Sequence, residues 1–80
     1  MSQRKRTIAV VDDDPRLLES LEELLESAGY LTRSFSSPVS LFVEGLSGID
    51  LLITDIGMSG MDGFELRAVA KGIRPELPVF

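Results

Sequence analysis

Short apolar runs alternate along this chain with segments whose apolar residues repeat at helical spacing, and this alternation restricts the fold more than any other feature. The run Thr7–Val11 is almost continuously apolar and β-branched, which is typical of a strand covered on both faces, as in a parallel sheet. Comparable runs at Tyr30–Phe35 and Ile49–Thr54 predict two further strands, and Leu77–Phe80 looks like the entry to a fourth. Strands that alternate with helices favour an α/β fold with a parallel sheet and right-handed crossovers.

The helix after the first strand is the most strongly signalled element. Asp14 can cap it, and Pro15 can occupy its first position. Leucines then recur at helical spacing while glutamates fall on the other face, and Gly29 stands where a helix often ends in a left-handed residue. The apolar positions are Leu17, Leu18, Leu21, Leu24, Leu25 and Ala28. This pattern predicts an amphipathic helix that packs on the sheet.

Two further helices are predicted from signals of the same kind. Ser37, followed by a proline, can cap a short helix over residues 39–46, and Asp62 can cap a third over residues 63–71. The predicted order is β-α-β-α-β-α-β. Since no linker or internal repeat interrupts it, we expect a single domain over residues 1–80.

Several kinds of chemistry are excluded by residues that the chain lacks. With 0 Cys and 0 His among 80 residues, it offers no disulfide framework, no thiolate nucleophile, no Ser-His-Asp triad and no phosphohistidine of its own. A net charge of −5 disfavours direct nucleic-acid binding by this segment. No stretch approaches the ~18 apolar residues of a membrane span, so we expect a cytoplasmic protein with no membrane partner.

Aspartates follow two of the predicted strands at the point where each strand ends. Asp12, Asp13 and Asp14 come directly after the first strand, and Asp55 follows the third. Ligands of open parallel sheets bind outside the carboxyl ends of the strands. Asp12, Asp13 and Asp55 therefore share one edge if these two strands are neighbours. Carboxylates about 4 Å apart repel each other by about 4 kcal/mol at an effective dielectric constant near 20, so such a cluster favours a bound cation.

Two interpretations of this acidic edge are open from the residues alone. Oxygen ligands favour Mg²⁺, and a carboxylate beside the cation can attack a phosphoryl group and become an aspartyl phosphate. Alternatively, the aspartates after the first strand form a solvated turn with a helix cap, and Asp55 is a turn residue. Asp62 is best explained as a helix cap or turn residue. Two strands that both end in aspartate, with a glycine-rich segment over residues 55–63, favour the site.

Taken together, these motifs resemble the receiver domain of two-component response regulators. The matching pieces are Val10–Asp14, the leucine-rich first helix, Leu51–Asp55 and Met58–Leu66, and the resemblance runs from about Ile8 to Phe80. It implies a flavodoxin-like, doubly wound parallel sheet. Of that fold this chain holds an incomplete β-α-β-α-β-α-β portion, which lacks the last strand and the last two helices.

The resemblance also implies a role for each residue of the acidic edge. Asp55 matches the phosphoacceptor, which takes a phosphoryl group from a phosphohistidine of a sensor histidine kinase or a phosphotransfer protein. Asp13 matches a direct Mg²⁺ ligand, and Asp12 matches the second acidic residue, which often acts through water. Asp55 itself and the backbone carbonyl of Gly57 complete the implied ligand set. The resemblance implies a signalling domain rather than an enzyme.

Two departures from the family pattern lead to further expectations. Ser59 stands where the family usually has proline after the loop methionine, and because serine does not fix φ, we expect a looser loop. The chain also stops while entering the fourth strand, before the hydroxyl residue and the lysine that complete the family's site. We therefore expect phosphorylation of Asp55 in this form to be slow or absent. An open strand edge and a bare apolar face predict a homodimer or a strand-exchanged oligomer.

Two other functions are weighed against this one. The first is a non-catalytic fragment that serves as an assembly or interaction module, which phosphorylation competence would distinguish from a receiver. The second is a phosphatase of the haloacid-dehalogenase type, because the three aspartates fit the Asp-x-Asp that ends its first strand. Pro15 and Arg16 do not continue that motif, and it leaves Asp55 unexplained.

Overall fold

A three-stranded parallel sheet forms the centre of the fold. In the computed structural model, which describes residues 5–54 and 63–80, the strands run in the order β2-β1-β3. The strands are β1 (Thr7–Val11), β2 (Leu31–Phe35) and β3 (Leu51–Thr54). Both pairings are parallel, and the last four residues of the central strand are buried. The predicted α/β class is confirmed. The first and third strands are neighbours, so the condition for a site shared by their carboxyl ends is met.

Three helices alternate with these strands in the predicted order. They are α1 (Pro15–Ser27), α2 (Pro38–Glu44) and α3 (Gly63–Ile73). The sequence pattern predicts α2 over residues 39–46, but the helix ends earlier because Gly45 takes a φ of 92°, which a helix cannot continue. The pattern ends α3 at Lys71, whereas the helix continues for two more residues.

The capping signals of the sequence act as predicted. The Oδ1 of Asp14 accepts a hydrogen bond from the backbone N–H of Arg16 at 3.0 Å, and the Oγ of Ser37 accepts one from that of Ser40 at 3.2 Å. Gly29 directly follows Ala28, the C-cap residue of α1. It has a φ of 98°, a conformation that glycine adopts without strain. These three residues fix where α1 and α2 begin and where α1 stops.

Two strands start later than the sequence pattern predicts. The pattern begins β2 at Tyr30, but the N–H of Tyr30 donates to the carbonyl of Leu25 at 3.0 Å and so closes the end of α1. The pattern begins β3 at Ile49, two residues before the ladder starts. Asp50 explains the delay, because its carboxylate Oδ2 accepts the N–H of Thr7 at 2.8 Å where a strand would offer a carbonyl.

Residues 77–80 pair with the outer side of β3. Leu52 and Val79 form a parallel bridge. The N–H of Leu52 donates to the carbonyl of Pro78 at 3.0 Å, and its carbonyl accepts from Phe80 at 2.8 Å. The predicted entry into a fourth strand is therefore confirmed, and this strand lies beside β3.

The two faces of the sheet are covered to different degrees. Helices α2 and α3 pack on one face, where Leu41, Leu52 and Leu66 are fully buried. Helix α1 packs on the other, where Ile8 and Val10 meet a smaller apolar cluster. Burial of each leucine in such a core contributes about 1.5–3 kcal/mol, so the face of α2 and α3 is the main source of hydrophobic stabilisation.

The apolar face of α1 is wider than the surface it covers. Leu18 is buried and Leu21 and Leu25 are half-buried, but Leu17 and Leu24 are 45% and 66% exposed. Ala28, the last residue of the predicted apolar face, is exposed as well. A helix that rests on a sheet contacts it along one stripe, and Leu17 and Leu24, which are seven residues apart, lie together on one side of that stripe and outside the core.

Two hydroxyl–carboxylate pairs attach the polar face of α1 to β2. Ser34 Oγ donates to Glu22 Oε1, and Thr32 Oγ1 donates to Glu26 Oε2 at 3.0 Å. The two glutamates are one helical turn apart, and the two hydroxyls are two residues apart on one face of the strand. Part of the glutamate-rich face therefore forms hydrogen bonds with β2, one of them part-buried and the other exposed to solvent.

Candidate functional site

The carboxyl edge of the sheet, meaning the ends of β1 and β3 with the residues that follow them, holds a buried carboxylate. Asp12 directly follows β1 and is only 4% exposed. Its Oδ1 accepts the N–H of Asp14 at 2.8 Å, and its own N–H donates to the carbonyl of Phe35 at 3.1 Å. Among the residues that the structure describes, no lysine or arginine pairs with it. A buried carboxylate without a counter-ion favours the arrival of a cation.

The next two aspartates have different surroundings and different uses. Asp14 is exposed, and its carboxylate is occupied in capping α1. Asp13 is also exposed, and within the described ranges its carboxylate has no hydrogen bond or ion pair. The interpretation as a capped turn is therefore correct for Asp14, while Asp12 and Asp13 remain available as oxygen ligands.

Strand β3 ends at the same level of the sheet as β1. Val11 and Thr54, the last residues of the two strands, are register partners. The other residues predicted for this site, Asp55 as phosphoacceptor and Gly57 as carbonyl ligand, lie outside the described residues. Ser59 and Asp62 lie outside them too. The structure thus brings together the two strand ends on which the predicted site depends.

An open cavity of about 270 Å³ adjoins the two strand ends. Asp12 and Thr54 line it from the sheet, and Leu17 and Leu21 line it from α1. The Oγ1 of Thr54 is buried and has no hydrogen-bond partner in the described part of the chain. A buried polar atom without a partner is uncommon in folded proteins, and here it lies at the same edge as the buried carboxylate.

The oxygen donors of this edge suit a hard cation such as Mg²⁺. Within residues 5–54 and 63–80, no three acidic side chains stand close enough together to hold a metal ion. Asp12 and Asp13 supply two carboxylates on consecutive residues, and the third predicted carboxylate belongs to Asp55. The magnesium site therefore stays a prediction, because its third carboxylate lies outside the described residues.

The opposite, amino edge of the sheet is closed by two polar residues that the sequence analysis did not single out. Besides the bond from its carboxylate to Thr7, Asp50 donates its N–H to the carbonyl of Thr7 at 2.8 Å. One terminal nitrogen of Arg74, Nη1, donates to the carbonyls of Leu46 at 2.7 Å and Ile49 at 2.6 Å. The partners lie 43 residues from Asp50, and 28 and 25 residues from Arg74. A sequence pattern that extends over a few residues cannot predict contacts between residues so far apart along the chain.

Arg74 also forms an ion pair with an acidic residue two positions further along the chain. Its Nε donates to Oε2 of Glu76 at 2.8 Å. The pKa of Glu76 lies below its usual value, first because the carboxylate accepts a hydrogen bond from its own backbone N–H and then because Arg74 bonds to it. The Glu76 side chain is 67% exposed, so solvent screens much of this attraction.

The described helices offer no membrane-crossing segment. The longest of them, α1, has 13 residues and carries glutamates along one face. No helix within the described ranges combines the length and the apolarity that a bilayer span requires.

Comparison with protein families gives one match over nearly the whole chain. Residues 8–80 match the family model described as "Response regulator receiver domain". The match begins at the second residue of β1 and includes the acidic edge, both outer strands and the three helices.

Individual relatives agree with the family match. The transcriptional regulatory protein GlrR of Escherichia coli is 38% identical over 80 residues, which are 99% of this chain and 18% of that protein. The structure of response regulator protein TrrA of Thermotoga maritima in complex with Mg²⁺-BeF is 30% identical, with a TM-score of 0.82. The structure of histidine kinase ThkA in complex with TrrA matches with 31% sequence identity and a TM-score of 0.84. Each match covers 92% of this chain and 65% of the solved one. The chain therefore spans about a fifth of GlrR and just under two thirds of these structures.

Proposed function

We propose that this chain, which belongs to the response regulator receiver domain family of bacterial two-component systems, accepts a phosphoryl group on the side chain of Asp55. Members of this family are signalling domains rather than classical enzymes. The two alternatives, an assembly module and a haloacid-dehalogenase-type phosphatase, find no support among its relatives. We also propose that the chain works in the cytoplasm, where its kinase partner would present the phosphoryl group.

The observation that carries this proposal is the parallel pairing of β1 and β3 up to the Val11–Thr54 pair. In the sequence, Asp12 follows the first of these residues and Asp55 follows the second. Ligands of open parallel sheets bind beyond such strand ends. The register therefore supports a site shared by the acidic pair and Asp55.

The proposed cation is Mg²⁺, bound by Asp12, Asp13, Asp55 and the backbone carbonyl of Gly57. Two features of the described residues fit a hard cation here, namely a buried Asp12 carboxylate without a counter-ion and an exposed Asp13 carboxylate beside it. When bound, the ion would neutralise negative charge on the transferring oxygens. TrrA was solved in complex with Mg²⁺-BeF, and this similarity supports the same ion for this chain.

The proposed donor is a phosphohistidine of a sensor histidine kinase or phosphotransfer protein. An oxygen of Asp55 attacks the phosphorus, an O–P bond forms and the N–P bond to the imidazole breaks. The imidazole leaves with the electron pair of that bond and takes up a proton. The complex of TrrA with the histidine kinase ThkA supports a kinase of that type as the partner. The name of GlrR supports a transcriptional regulator as the whole protein in which this domain works.

The experiment is intact-protein mass spectrometry after incubation with Mg²⁺ and acetyl phosphate. We expect slow addition of one phosphoryl group to the wild-type chain, and no addition to Asp55→Asn or when EDTA replaces Mg²⁺. Asp14→Asn is the matched control, since it removes one charge from the same acidic run while asparagine still caps α1. The control should accept the phosphoryl group at the wild-type rate.

Two results would contradict the proposal. One is a phosphoryl adduct that persists in Asp55→Asn. The other is no adduct on a wild-type sample that circular dichroism shows to be folded. Equal loss of the adduct in Asp14→Asn would indicate that phosphorylation depends on the total charge of Asp12–Asp14 and not on Asp12 and Asp13 as Mg²⁺ ligands.

Self-association is a separate part of the proposal. Leu31, on the outer strand β2, is 49% exposed, and Phe80, beside β3, is 74% exposed. A cleft of about 370 Å³ with apolar walls, including Leu25 and Leu51, opens on the α1 face. We propose a homodimer, formed by face packing or strand exchange. Sedimentation equilibrium should show a dimer at micromolar concentration, and a stable monomer over that range would contradict it.

A further inference from the structure

Helix α1 carries an apolar row that its own sheet does not cover. Leu17 and Leu24 are 45% and 66% exposed. Leu21 between them is half-buried, and Ala28 beyond them is exposed. The four residues, which we call the leucine row, follow one another at spacings of four, three and four. Apolar residues at that spacing are typical of the seam between two packed helices.

The two flanks of α1 differ in charge. On the flank toward β2, Glu22 and Glu26 accept hydrogen bonds from hydroxyls of that strand. On the flank of the leucine row, the other exposed residues are Ser20 and Ser27, which carry no charge. A helix face that is exposed to water is usually rich in charged side chains. The uncharged flank therefore favours contact with another apolar surface.

An open trough runs beside the leucine row on the same face of the sheet. A cavity of about 270 Å³ at its carboxyl end is lined by Leu17, Leu21 and Ile53 among others. A cavity of about 370 Å³ at its amino end is lined by Leu25, Leu51 and again Ile53. Because Ile53 belongs to both cavities, they adjoin each other along α1. We call this continuous apolar surface the α1 trough.

Opposite charges mark the two ends of the α1 trough. Arg6 lines the cavity at the amino end and is exposed. Asp12 lines the cavity at the carboxyl end, and Asp13 beside it is exposed. Within the described ranges, neither the guanidinium of Arg6 nor the carboxylate of Asp13 has a hydrogen bond or an ion pair. Both charges are therefore available to a partner.

Neighbouring charges leave the signs of the two ends unchanged. The amino end also carries Lys5, which is exposed, and Asp50, whose carboxylate accepts the N–H of Thr7. The carboxyl end also carries Asp14 and Arg16. The amino end therefore has a net positive charge and the carboxyl end a net negative one. A second copy of the chain, turned end for end, would place each positive end against a negative end.

We propose that two copies of the chain associate through their α1 troughs as a symmetric, antiparallel pair. The leucine row of each copy packs along the trough of the other, so that Leu17 faces Ala28 of the second copy and Leu21 faces Leu24. Antiparallel helices also align their dipoles favourably. Arg6 of each copy pairs with Asp13 of the other. This pair rests on the self-association proposed above, and it specifies packing of the α1 faces instead of strand exchange.

Sedimentation equilibrium of the full chain tests the pair, with EDTA present so that Asp13 carries no cation. Leu24→Gln should raise the dissociation constant of the dimer about tenfold or more, because a symmetric interface loses two leucine contacts at once. Val43→Gln is the matched control, since it replaces an apolar side chain that is 81% exposed on α2. The control should stay within about twofold of wild type. Circular dichroism should show both variants folded.

Charge reversal tests the antiparallel arrangement. Arg6→Glu should raise the dissociation constant about fivefold or more, because both interchain pairs become repulsive. Arg6→Glu combined with Asp13→Arg should return the constant to within about threefold of wild type. A parallel pair would bring like ends together, so the second substitution would not compensate for the first.

Three results would overturn the pair. The first is a wild-type chain that stays monomeric over the micromolar range, which would contradict self-association as a whole and leave the α1 trough to a different protein segment. The second is a dimer that Leu24→Gln weakens no more than Val43→Gln does, which would favour strand exchange. The third is a double charge variant that stays as weak as Arg6→Glu. Phosphorylation of Asp55, measured by mass, is independent of all three.

Discussion

The amino edge and the carboxyl edge of the sheet satisfy their polar groups in opposite ways. At the amino edge, the side chains of Asp50 and Arg74 bond directly to backbone groups of another segment. At the carboxyl edge, Asp12 is buried with a single backbone partner for its carboxylate, and Asp13 is exposed. The Oγ1 of Thr54 has no partner among the described residues.

This contrast favours the carboxyl edge, rather than the amino edge, as the place of a binding or reactive site. A paired polar group contributes to stability, whereas an unpaired buried one costs free energy and persists where function requires it. Substitutions at the amino edge should therefore lower stability, and substitutions of ligands at the carboxyl edge should lower ligand binding and leave stability nearly unchanged. We order the expected changes in the free energy of unfolding from the largest to the smallest.

Asp50→Ala should have the largest effect. It removes the acceptor of the Thr7 N–H at the start of the β1–β3 pairing, and a hydrogen bond to a charged group contributes about 2 kcal/mol. Urea denaturation should show that loss. Asp13→Ala is the comparison at the carboxyl edge and should stay within about 0.5 kcal/mol of wild type. Equal losses in the two variants would remove the distinction between the edges.

Asp14→Ala tests the one aspartate of the carboxyl edge to which we assign a structural role. Its carboxylate caps α1, so alanine should lower the free energy of unfolding by about 1 kcal/mol. Asp14→Asn should cost almost nothing, because asparagine caps equally well. Thermal or urea unfolding of the two variants distinguishes capping from charge. If both variants lose the same stability, charge rather than capping is the cause.

Thr54→Val should leave stability unchanged or raise it by up to about 1 kcal/mol. The substitution replaces a buried hydroxyl that has no described partner with a methyl group of similar size. Urea denaturation again supplies the measurement. A loss greater than about 1 kcal/mol would show that the hydroxyl is satisfied in solution, and the carboxyl edge would then resemble the amino edge more closely than we propose.

Glu76→Gln should have the smallest effect, and it should depend on pH. The folded-state pKa of Glu76 is lowered, so its contribution to stability is complete above the unfolded value of 4.5 and is lost as the pH falls through the folded value. The variant should therefore differ slightly from wild type at pH 7, and the difference should vanish in acid. Urea denaturation at both pH values measures it. A difference that grows in acid would contradict the assigned direction.

Local signals were sufficient to predict most of the fold. The apolar run of β1, the caps at Asp14 and Ser37 and the glycine at residue 29 act over a few residues, and each is confirmed. The sequence pattern places the start of β3 too early because the carboxylate of Asp50 takes the place of a backbone acceptor. Such a substitution depends on a partner 43 residues away.

The candidate site was predictable from the sequence to a smaller extent. Aspartates after two parallel strands indicated a shared edge, and the Val11–Thr54 register agrees with it. Sequence alone could not divide the roles of Asp12, Asp13 and Asp14, because burial and capping decide them. It also did not single out Thr54 or Arg74, whose surroundings are set by tertiary contacts.

The most direct test of the contrast between the edges is an NMR titration of the full chain with Mg²⁺. We predict saturable shifts of the amides of Asp12, Asp13 and Thr54, with those of Asp50 and Arg74 unchanged. Asp13→Asn should abolish the shifts without unfolding the chain. Shifts confined to the amino edge, or no shift at the carboxyl edge at millimolar Mg²⁺, would contradict the assignment of the Mg²⁺ site to the carboxyl edge.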